Sequence, residues 1–508
     1  MMMLLIKILL VVYVLVIGLM LLNSFFDAQL IYHFFKKRSP EKKLEAFEKL
    51  PMVTIQLPIY NEMFVAERLL LAVAALDYPK SLLEIQVLDD STDETSKIIA
   101  ATVSAIKAAG IGIQHIQRTN RRGYKAGALR DALASAKGEF IAIFDADFVP
   151  SIDFLQKTIP HFQEGAIGMV QAKWGHLNKK ESLLGRLQAI ALDGHFSLEQ
   201  QARNSAGYFI NFNGTAGVWR KATILDAGNW QADTLTEDFD LSYRAQLKGW
   251  KFKYLEELTT PSELPPMISA MKSQQFRWTK GGAETAKKNL KPLLRASLPL
   301  RVKLHGAFHL TYSFGFVSII IYALLTVPLL FVKDRFPQYN LVFILSNIVT
   351  VSFMIYTAHY FIAFLKNNDG SYLKRSLKFL LQFPLFVSLF IGISLSNAIA
   401  ILQGYAGIKS GFVRTPKFSN MNNLARLKSK YANPAINWMT FLEALLVAYF
   451  AWGIATAIRL KNYGAVPLLV MAMLGFGMVV FMSFAEGRVR RESSPWRHGD
   501  TDLHRDCS

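Results

Sequence analysis

The sequence predicts a parallel-rich α/β domain with flanking helices, joined to an α-helical transmembrane bundle. Three observations lead there. Short apolar strands alternate with helical patterns between residues 50 and 300. Acidic pairs stand at the ends of two of those strands, and long apolar runs lie on either side of the region. The composition agrees: 52% of the 508 residues are hydrophobic and the mean hydropathy is +0.23, too apolar for a soluble protein and too polar for a bare membrane bundle.

Residues 8–26 are nearly all apolar and long enough to cross a bilayer. A cleaved signal peptide is the alternative, but no small-residue cleavage pattern is present, and Lys36, Lys37 and Arg38 follow the run instead of preceding it. The positive-inside rule sets that basic end in the cytosol and the N-terminus outside. Runs 306–332, 340–365, 437–459 and 464–484 read as further spans, while 378–402 is ambiguous. If 378–402 crossed, residues 403–434 would lie outside, yet they carry Lys409, Arg414, Lys417, Arg426, Lys428 and Lys430 and no acid. The tail with Arg488, Arg490 and Arg491 also favours the cytosol. Both demands are met if 378–402 is an interfacial or re-entrant element broken at Pro384. The expected order is a first span in 1–35, a cytosolic domain over 50–300 ending in interfacial helices, and two spans in 301–370. An interfacial element and loop in 371–434, two spans in 435–485 and a cytosolic tail over 486–508 follow, five spans in all with the C-terminus inside.

Lys and Arg number 57 against 38 Asp and Glu, a net charge of +19. Many of the basic residues flank apolar runs, so the excess reads as membrane contact; no zinc-finger or RNP-type spacing points to nucleic acid. The single cysteine, Cys507, excludes an intrachain disulfide and a cysteine metal cluster.

Within the soluble domain, residues 52–58 read as a strand entering a loop, 84–88 as a strand ending at Asp89-Asp90, and 140–144 as a strand ending at Asp145. Helical patterns lie near 62–76, 93–109 and 126–136. Ligands of such sheets bind at the carboxyl ends of the strands, where both acidic pairs fall. Alone, Asp89-Asp90-Ser91-Thr92 reads equally as a helix N-cap and Asp145-Ala146-Asp147 as a turn. Together in one sheet they suit Mg²⁺ or Mn²⁺ held against a diphosphate, because hard cations take oxygen ligands. Residues 123–129 open a helix whose N-terminus, with Lys125 and Arg122, suits a phosphate; helix packing is the simpler reading. Thr236-Glu237-Asp238 reads either as an acidic first helical turn or as the carboxylate that takes a proton from an acceptor hydroxyl. Gln274, Arg277 and Trp278 offer a guanidinium for a diphosphate and a flat ring for a sugar face, with an interfacial tryptophan as the alternative.

In this order and spacing the motifs resemble processive family-2 glycosyltransferases. Residues 56–62, 87–93, 123–129, 142–148 and 212–220 closely resemble the cellulose-synthase-like A and C group of plant mannan and glucan synthases and its bacterial relatives. The resemblance implies a GT-A fold and metal-dependent, inverting β-glycosyl transfer from GDP-mannose or UDP-glucose to a growing glycan. It implies that Asp89 and Asp90 serve the donor, with Asp90 at its nucleoside, and that Lys125 meets the diphosphate. Asp145 and Asp147 would contact the donor and its Mg²⁺ or Mn²⁺, and Asp238 would be the base with Glu237 beside it. Gln274, Arg277 and Trp278 would close the acceptor end over the diphosphate, and Asn213, Gly214 and Thr215 would line the acceptor site. Residues 412–417 resemble the gating loop of cellulose synthases, with Arg414 in place of a valine. Phe412, Arg414, Thr415 and Lys417 would then cover the loaded donor and exclude water. His305, His309, Thr311, Asn347 and His359 either line a glycan path or pack helices. Only 23 residues follow Ala485, too few for the cyclic-dinucleotide-binding domain of some cellulose synthases. The rival expectation is a lipid glycosyltransferase acting on ceramide, diacylglycerol or a polyprenyl carrier; a non-catalytic transporter or scaffold ranks third, since every expected acid is present. A multi-pass protein of the plasma membrane is expected in a bacterium, and of the Golgi in a plant.

Overall fold

The computed structural model describes residues 1–36, 47–411, 415–418 and 436–492, with side chains through Arg488. Its centre is a seven-stranded sheet in the order β3-β2-β1-β4-β6-β5-β7. The strands are β1 (Val53–Ile59), β2 (Leu83–Asp89), β3 (Gly112–Gln117), β4 (Phe140–Ile143), β5 (Ile167–His176), β6 (Gly217–Arg220) and β7 (Lys251–Ser262). β1, β2, β3 and β4 pair in parallel, as do β5 and β7, whereas β6 runs antiparallel between β4 and β5. β1 and β2 are almost wholly buried, the mark of a strand covered on both faces. Their register is fixed by buried polar rungs: Thr54 Oγ1 donates to Glu84 Oε2 at 2.6 Å, and Gln56 Nε2 to Gln86 Oε1 at 3.0 Å. One face packs on helices Ala66–Ala74 and Thr95–Ala108, the other on Tyr124–Leu133 and the Trp219–Trp230 cluster. Because Ile59 lies opposite Asp89 and Gln56 opposite Ile143, β1, β2 and β4 deliver Tyr60, Asp90 and Asp145 to one edge of the sheet.

Among the described residues, six helical stretches are long and apolar enough to cross a membrane: Met2–Phe35, Leu300–Arg335, Pro337–Lys366, Tyr372–Gly392, Trp438–Arg459 and Tyr463–Arg488. The expected break at Pro384 is absent. The helix runs unbroken from Tyr372 to Gly392 and turns only at Ile393 into a second helix, Ser394–Ala406. Aromatic packing of Phe379, Phe383 and Phe386 spans the proline and offsets its missing hydrogen bond. Of the six stretches, Tyr372–Gly392 is the least apolar and carries Lys374, Arg375 and Lys378 near its start. It crosses Val466–Glu492 at glycine: a Cβ on Gly475 would stand 1.9 Å from the Ser388 carbonyl oxygen.

A long helix, Ile268–Arg295, joins the two halves. Its first amides, Ile268 and Ser269, donate to the Glu486 carboxylate at 2.6 and 3.3 Å. Lys272 Nζ meets both oxygens of the buried Glu443 at 2.6 and 2.9 Å. The last two apolar helices therefore fix the helix that bears Gln274, Arg277 and Trp278. Ser394–Ala406 lies along it, so close at Gly404 that a Cβ there would be 2.8 Å from the Lys280 carbonyl.

Candidate active site

At the sheet edge the β1 and β2 loops are tied together. Asn61, at φ +55°, accepts from the Thr92 amide at 2.9 Å and gives its own amide to Ser91 Oγ at 2.9 Å. Arg118, just beyond β3, holds Asp90 through Nε at 2.8 Å and Nη2 at 2.5 Å. The Arg121 guanidinium lies 3.3 Å from the centre of the Tyr60 ring. Tyr60, Asp90 and Arg121 thus make a flat, polar wall at one end of a cleft.

Gly123 at φ +75° and Tyr124 at φ +50° turn the chain so that the following helix points Lys125 into the cleft. Lys125 Nζ reaches Asp145 Oδ1 at 2.5 Å and the Gly214 carbonyl at 2.9 Å. Burial works to lower its pKa, but the charges of Asp145, Glu237 and Asp238 outweigh burial and hold it above the usual lysine value. Asp147 Oδ2 accepts from Lys417 Nζ at 2.7 Å and from the Glu263 amide at 3.2 Å. Glu263 in turn binds Arg68 at 2.8 Å and accepts the Phe418 amide at 3.2 Å, tying residues 415–418 to the cleft.

Asp238 and Glu237 begin helix Glu237–Leu247, with no side-chain cap at Thr236, whose hydroxyl instead pairs with Thr285 at 3.1 Å. Burial, reinforced by the Glu237 charge and opposed by Lys125, pushes Asp238 up to about 7. Burial also raises Glu237 against the pull of Lys125. Asp238 Oδ1 accepts the Phe239 amide at 2.9 Å. Oδ2 faces Gly214, which sits at φ +82°; a Cβ there would be 3.0 Å from Oδ2 and 3.4 Å from Lys125 Nζ. Only glycine leaves both groups in place at this backbone angle.

At the other end stand Gln274, Arg277 and Trp278, with the Trp278 ring 6.5 Å from that of Trp174. Burial lowers Arg277, and the carboxylates of Glu237, Asp145 and Asp238 work against that shift. Asn213 is fixed by Gln200 Nε2 at 2.8 Å and by His195 Nε2 at 3.1 Å.

One cleft therefore gathers Asp90, Lys125, Asp145, Asp147, Asn213, Gly214, Glu237, Asp238, Gln274, Arg277, Trp278, Thr415 and Lys417. Three expected residues sit elsewhere. Asp89 turns inward to Ser91, Ser96 and His115; these bonds outweigh burial and hold its carboxyl below the usual range. Thr215 is fully buried and accepts the Asp145 amide at 2.9 Å, so it braces the strand end behind the cleft. Arg122 is exposed, and Arg121 faces the cleft in its stead. Phe412 and Arg414 lie outside the described residues. Tyr60, Arg118, Arg121, Trp174 and Glu263 also belong to the site, and no local pattern in the sequence marks them, apart from the basic run before Gly123 for the arginines.

Asp145 and Asp147 suit a divalent ion. They offer hard oxygen donors, and each holds an ammonium group, from Lys125 and Lys417, as a stand-in cation. Two carboxylates suffice for Mg²⁺ or Mn²⁺ when substrate phosphates complete the shell.

Residues 51–281 match the family described as "Glycosyltransferase like family 2". The chain is 42% identical over 286 residues to glucomannan 4-beta-mannosyltransferase 1 of Cyamopsis tetragonoloba, covering 55% of this chain and 54% of the relative. It is 39% identical over 326 residues to glucomannan 4-beta-mannosyltransferase 1 of Oryza sativa subsp. japonica, covering 61% of each. The match thus spans a little over half the length of these curated relatives. In fold the chain resembles a mannosyltransferase of Pyrobaculum calidifontis solved with GDP-Man and Mn²⁺, with a TM-score of 0.51 and 20% identity over 71% of this chain and 98% of that one. Residues 51–281 accordingly match the family-2 glycosyltransferases and take the GT-A fold, in a chain that resembles the cellulose-synthase-like mannan synthases.

Proposed function

We propose that the protein is a membrane-integrated, inverting β-mannosyltransferase that moves mannose from GDP-mannose to a growing β-glycan and passes the chain through its own helices. The observation that carries this reading is the opposition, across Gly214, of a buried carboxylate of raised pKa and a lysine–carboxylate cradle. The names of the relatives favour mannose over glucose.

In the reaction, an acceptor hydroxyl oxygen forms a bond to the anomeric carbon on the face opposite the nucleotide. Asp238 takes the hydroxyl proton, and the bond between the anomeric carbon and the phosphate oxygen breaks with its electron pair going to the leaving diphosphate. Lys125 and Arg277 receive that negative charge, in a buried setting where each contact counts for more than in water. Mg²⁺ or Mn²⁺ held by Asp145 and Asp147 would supply further positive charge to the diphosphate. Tyr60, Asp90 and Arg121 grip the nucleoside; Trp278, Gln274 and Asn213 orient the acceptor; Thr415 and Lys417 cover the donor and exclude water. The domain is cytosolic, with the N-terminus outside and the C-terminus inside; this topology has five of the six apolar stretches crossing, with Tyr372–Gly392, the least apolar, lying at the cytosolic interface.

The test is label transfer by purified protein in nanodiscs, from GDP-mannose or UDP-glucose with Mg²⁺ or Mn²⁺. Precipitable label released by β-mannanase is expected. Asp238→Asn should lower the rate about 10²–10⁴-fold, the usual weight of a general base. Undiminished transfer in that variant would remove the base assignment, and label confined to the organic phase would make the product a glycolipid.

A further inference from the structure

A second group of ionisable side chains lies outside the cleft lining, where transfer makes no use of it. Asp27 comes from the apolar helix Met2–Phe35, Glu199 from a π-helical stretch, His195–Gln200, and His359 from the apolar helix Val349–Lys366. They are 4%, 8% and 2% exposed. One ligand atom from each lies within 4.8 Å of the other two. Among the described residues, Asp27 Oδ1 has no hydrogen-bond partner; the one backbone group that meets the His359 ring is the Gly194 carbonyl, which serves a single ring nitrogen and leaves the other without a partner. Gly194 also allows the close approach, since a Cβ there would be 2.6 Å from the Tyr360 ring.

The balance of charge is as telling as the geometry. Two carboxylates are buried together: Glu199 is met by His195, and Arg203, itself 2% exposed, acts on both, while among the described residues no ion pair closes on Asp27. Buried carboxylates are stable when paired or when they bind a metal. An unpartnered imidazole nitrogen adds a donor that Mg²⁺ and Ca²⁺ seldom choose and that Zn²⁺ and Mn²⁺ accept. Ligand atoms around such an ion stand roughly 3–3.5 Å apart at bond lengths of about 2.0–2.2 Å, so small side-chain shifts close the site. Glu199 already has its outer partner: His195 Nδ1 meets Oε2 at 2.9 Å, and His195 Nε2 continues to Asn213 at 3.1 Å. π-helical turns recur where a side chain is set for function.

We propose that Asp27, Glu199 and His359 form a second divalent-cation site, of Zn²⁺ or Mn²⁺ type, separate from Asp145 and Asp147. It would cross-link two apolar helices to the segment that carries His195, and so brace the acceptor side of the cleft. The site stands whether or not the transfer reading holds.

The test uses the full chain in nanodiscs with Asp145→Asn and Asp147→Asn in the background, which empties the catalytic pair. After chelation and dialysis, Zn²⁺ alone is added, and bound metal is read by mass spectrometry alongside the unfolding temperature. About one zinc per chain and a raised unfolding temperature are expected. His359→Gln and Asp27→Asn should each weaken zinc binding about 100-fold or more, beyond the 10–100-fold typical of losing an outer partner. Unchanged zinc content in both variants, or none in the background protein, would overturn the site. Should either variant fail to fold, Co²⁺ added to the background protein decides: visible bands of a nitrogen-containing ligand set are expected, and a spectrum of hydrated cobalt only would refute it.

Discussion

Replacing Gly214 by alanine probes the space between Asp238, the proposed base, and Lys125. At φ +82° an alanine costs about 1–2 kcal/mol of stability from backbone strain alone. Its methyl would lie 3.0 Å from Asp238 Oδ2, and carbon contacts relax at about 3.5 Å, so Oδ2 must retreat by roughly half an ångström. A misplacement of about 1 Å can cost ~10²-fold in rate. Half of that distance corresponds to about tenfold, or ~1.4 kcal/mol on the barrier. The wall of Tyr60, Asp90 and Arg121, proposed to grip the nucleoside, stays intact, so kcat should fall while the donor KM holds. Gly110→Ala is the control: Gly110 has φ +80° with nothing within 4 Å of an added Cβ, so it should lose similar stability and keep its rate. Initial rates against donor concentration, with thermal unfolding of both variants, make the comparison. A Gly214→Ala enzyme with kcat within twofold of the parent would refute the idea that Gly214 clears the base.

The raised pKa of Asp238 sets the sign of a pH effect: the base works only when ionised, so kcat/KM should rise with pH and level off above about 7. Lys125→Met removes the opposing charge and should move that limb to higher pH; a limb near pH 4 would contradict the assignment. Glu443→Ala strands the Lys272 ammonium and should cost about 3–5 kcal/mol in unfolding measurements, together with transfer activity. Gly475→Ala meets a backbone oxygen at 1.9 Å and should destabilise by roughly 1–3 kcal/mol, read as a lower unfolding temperature in detergent.

The parts legible in the sequence are those set by local pattern. Strands expected at 52–58, 84–88 and 140–144 fold as Val53–Ile59, Leu83–Asp89 and Phe140–Ile143, since unbroken apolar runs bounded by loops have few other uses. β3 is a short edge strand with only partial burial, so its pattern is weak, and with it goes the place of Arg118, which depends on where β3 ends. β6 has four residues and pairs antiparallel with strands distant in sequence, which no local window reveals. Neighbours along an extended chain face opposite ways. Sequence alone could not tell that Asp90 looks into the cleft and Asp89 away from it, or that Gly214 does and Thr215 does not. Pro384 misled for the opposite reason: a strong local breaker is overruled by the aromatic packing on both sides of it.

The clamp of Glu443 and Glu486 on helix Ile268–Arg295 also has a meaning in time. Ribosomes make the chain from its N-terminus, and domains take shape in that order. The sheet, the acidic pairs and the wall of Tyr60, Asp90 and Arg121 can all form while Lys272 and the first amides of that helix still lack their partners. Those partners arrive only with the final two apolar helices. The end of the cleft that bears Gln274, Arg277 and Trp278 is thus finished last, and a chain still being threaded into the bilayer holds every acid of the cleft without the fixed helix that closes it.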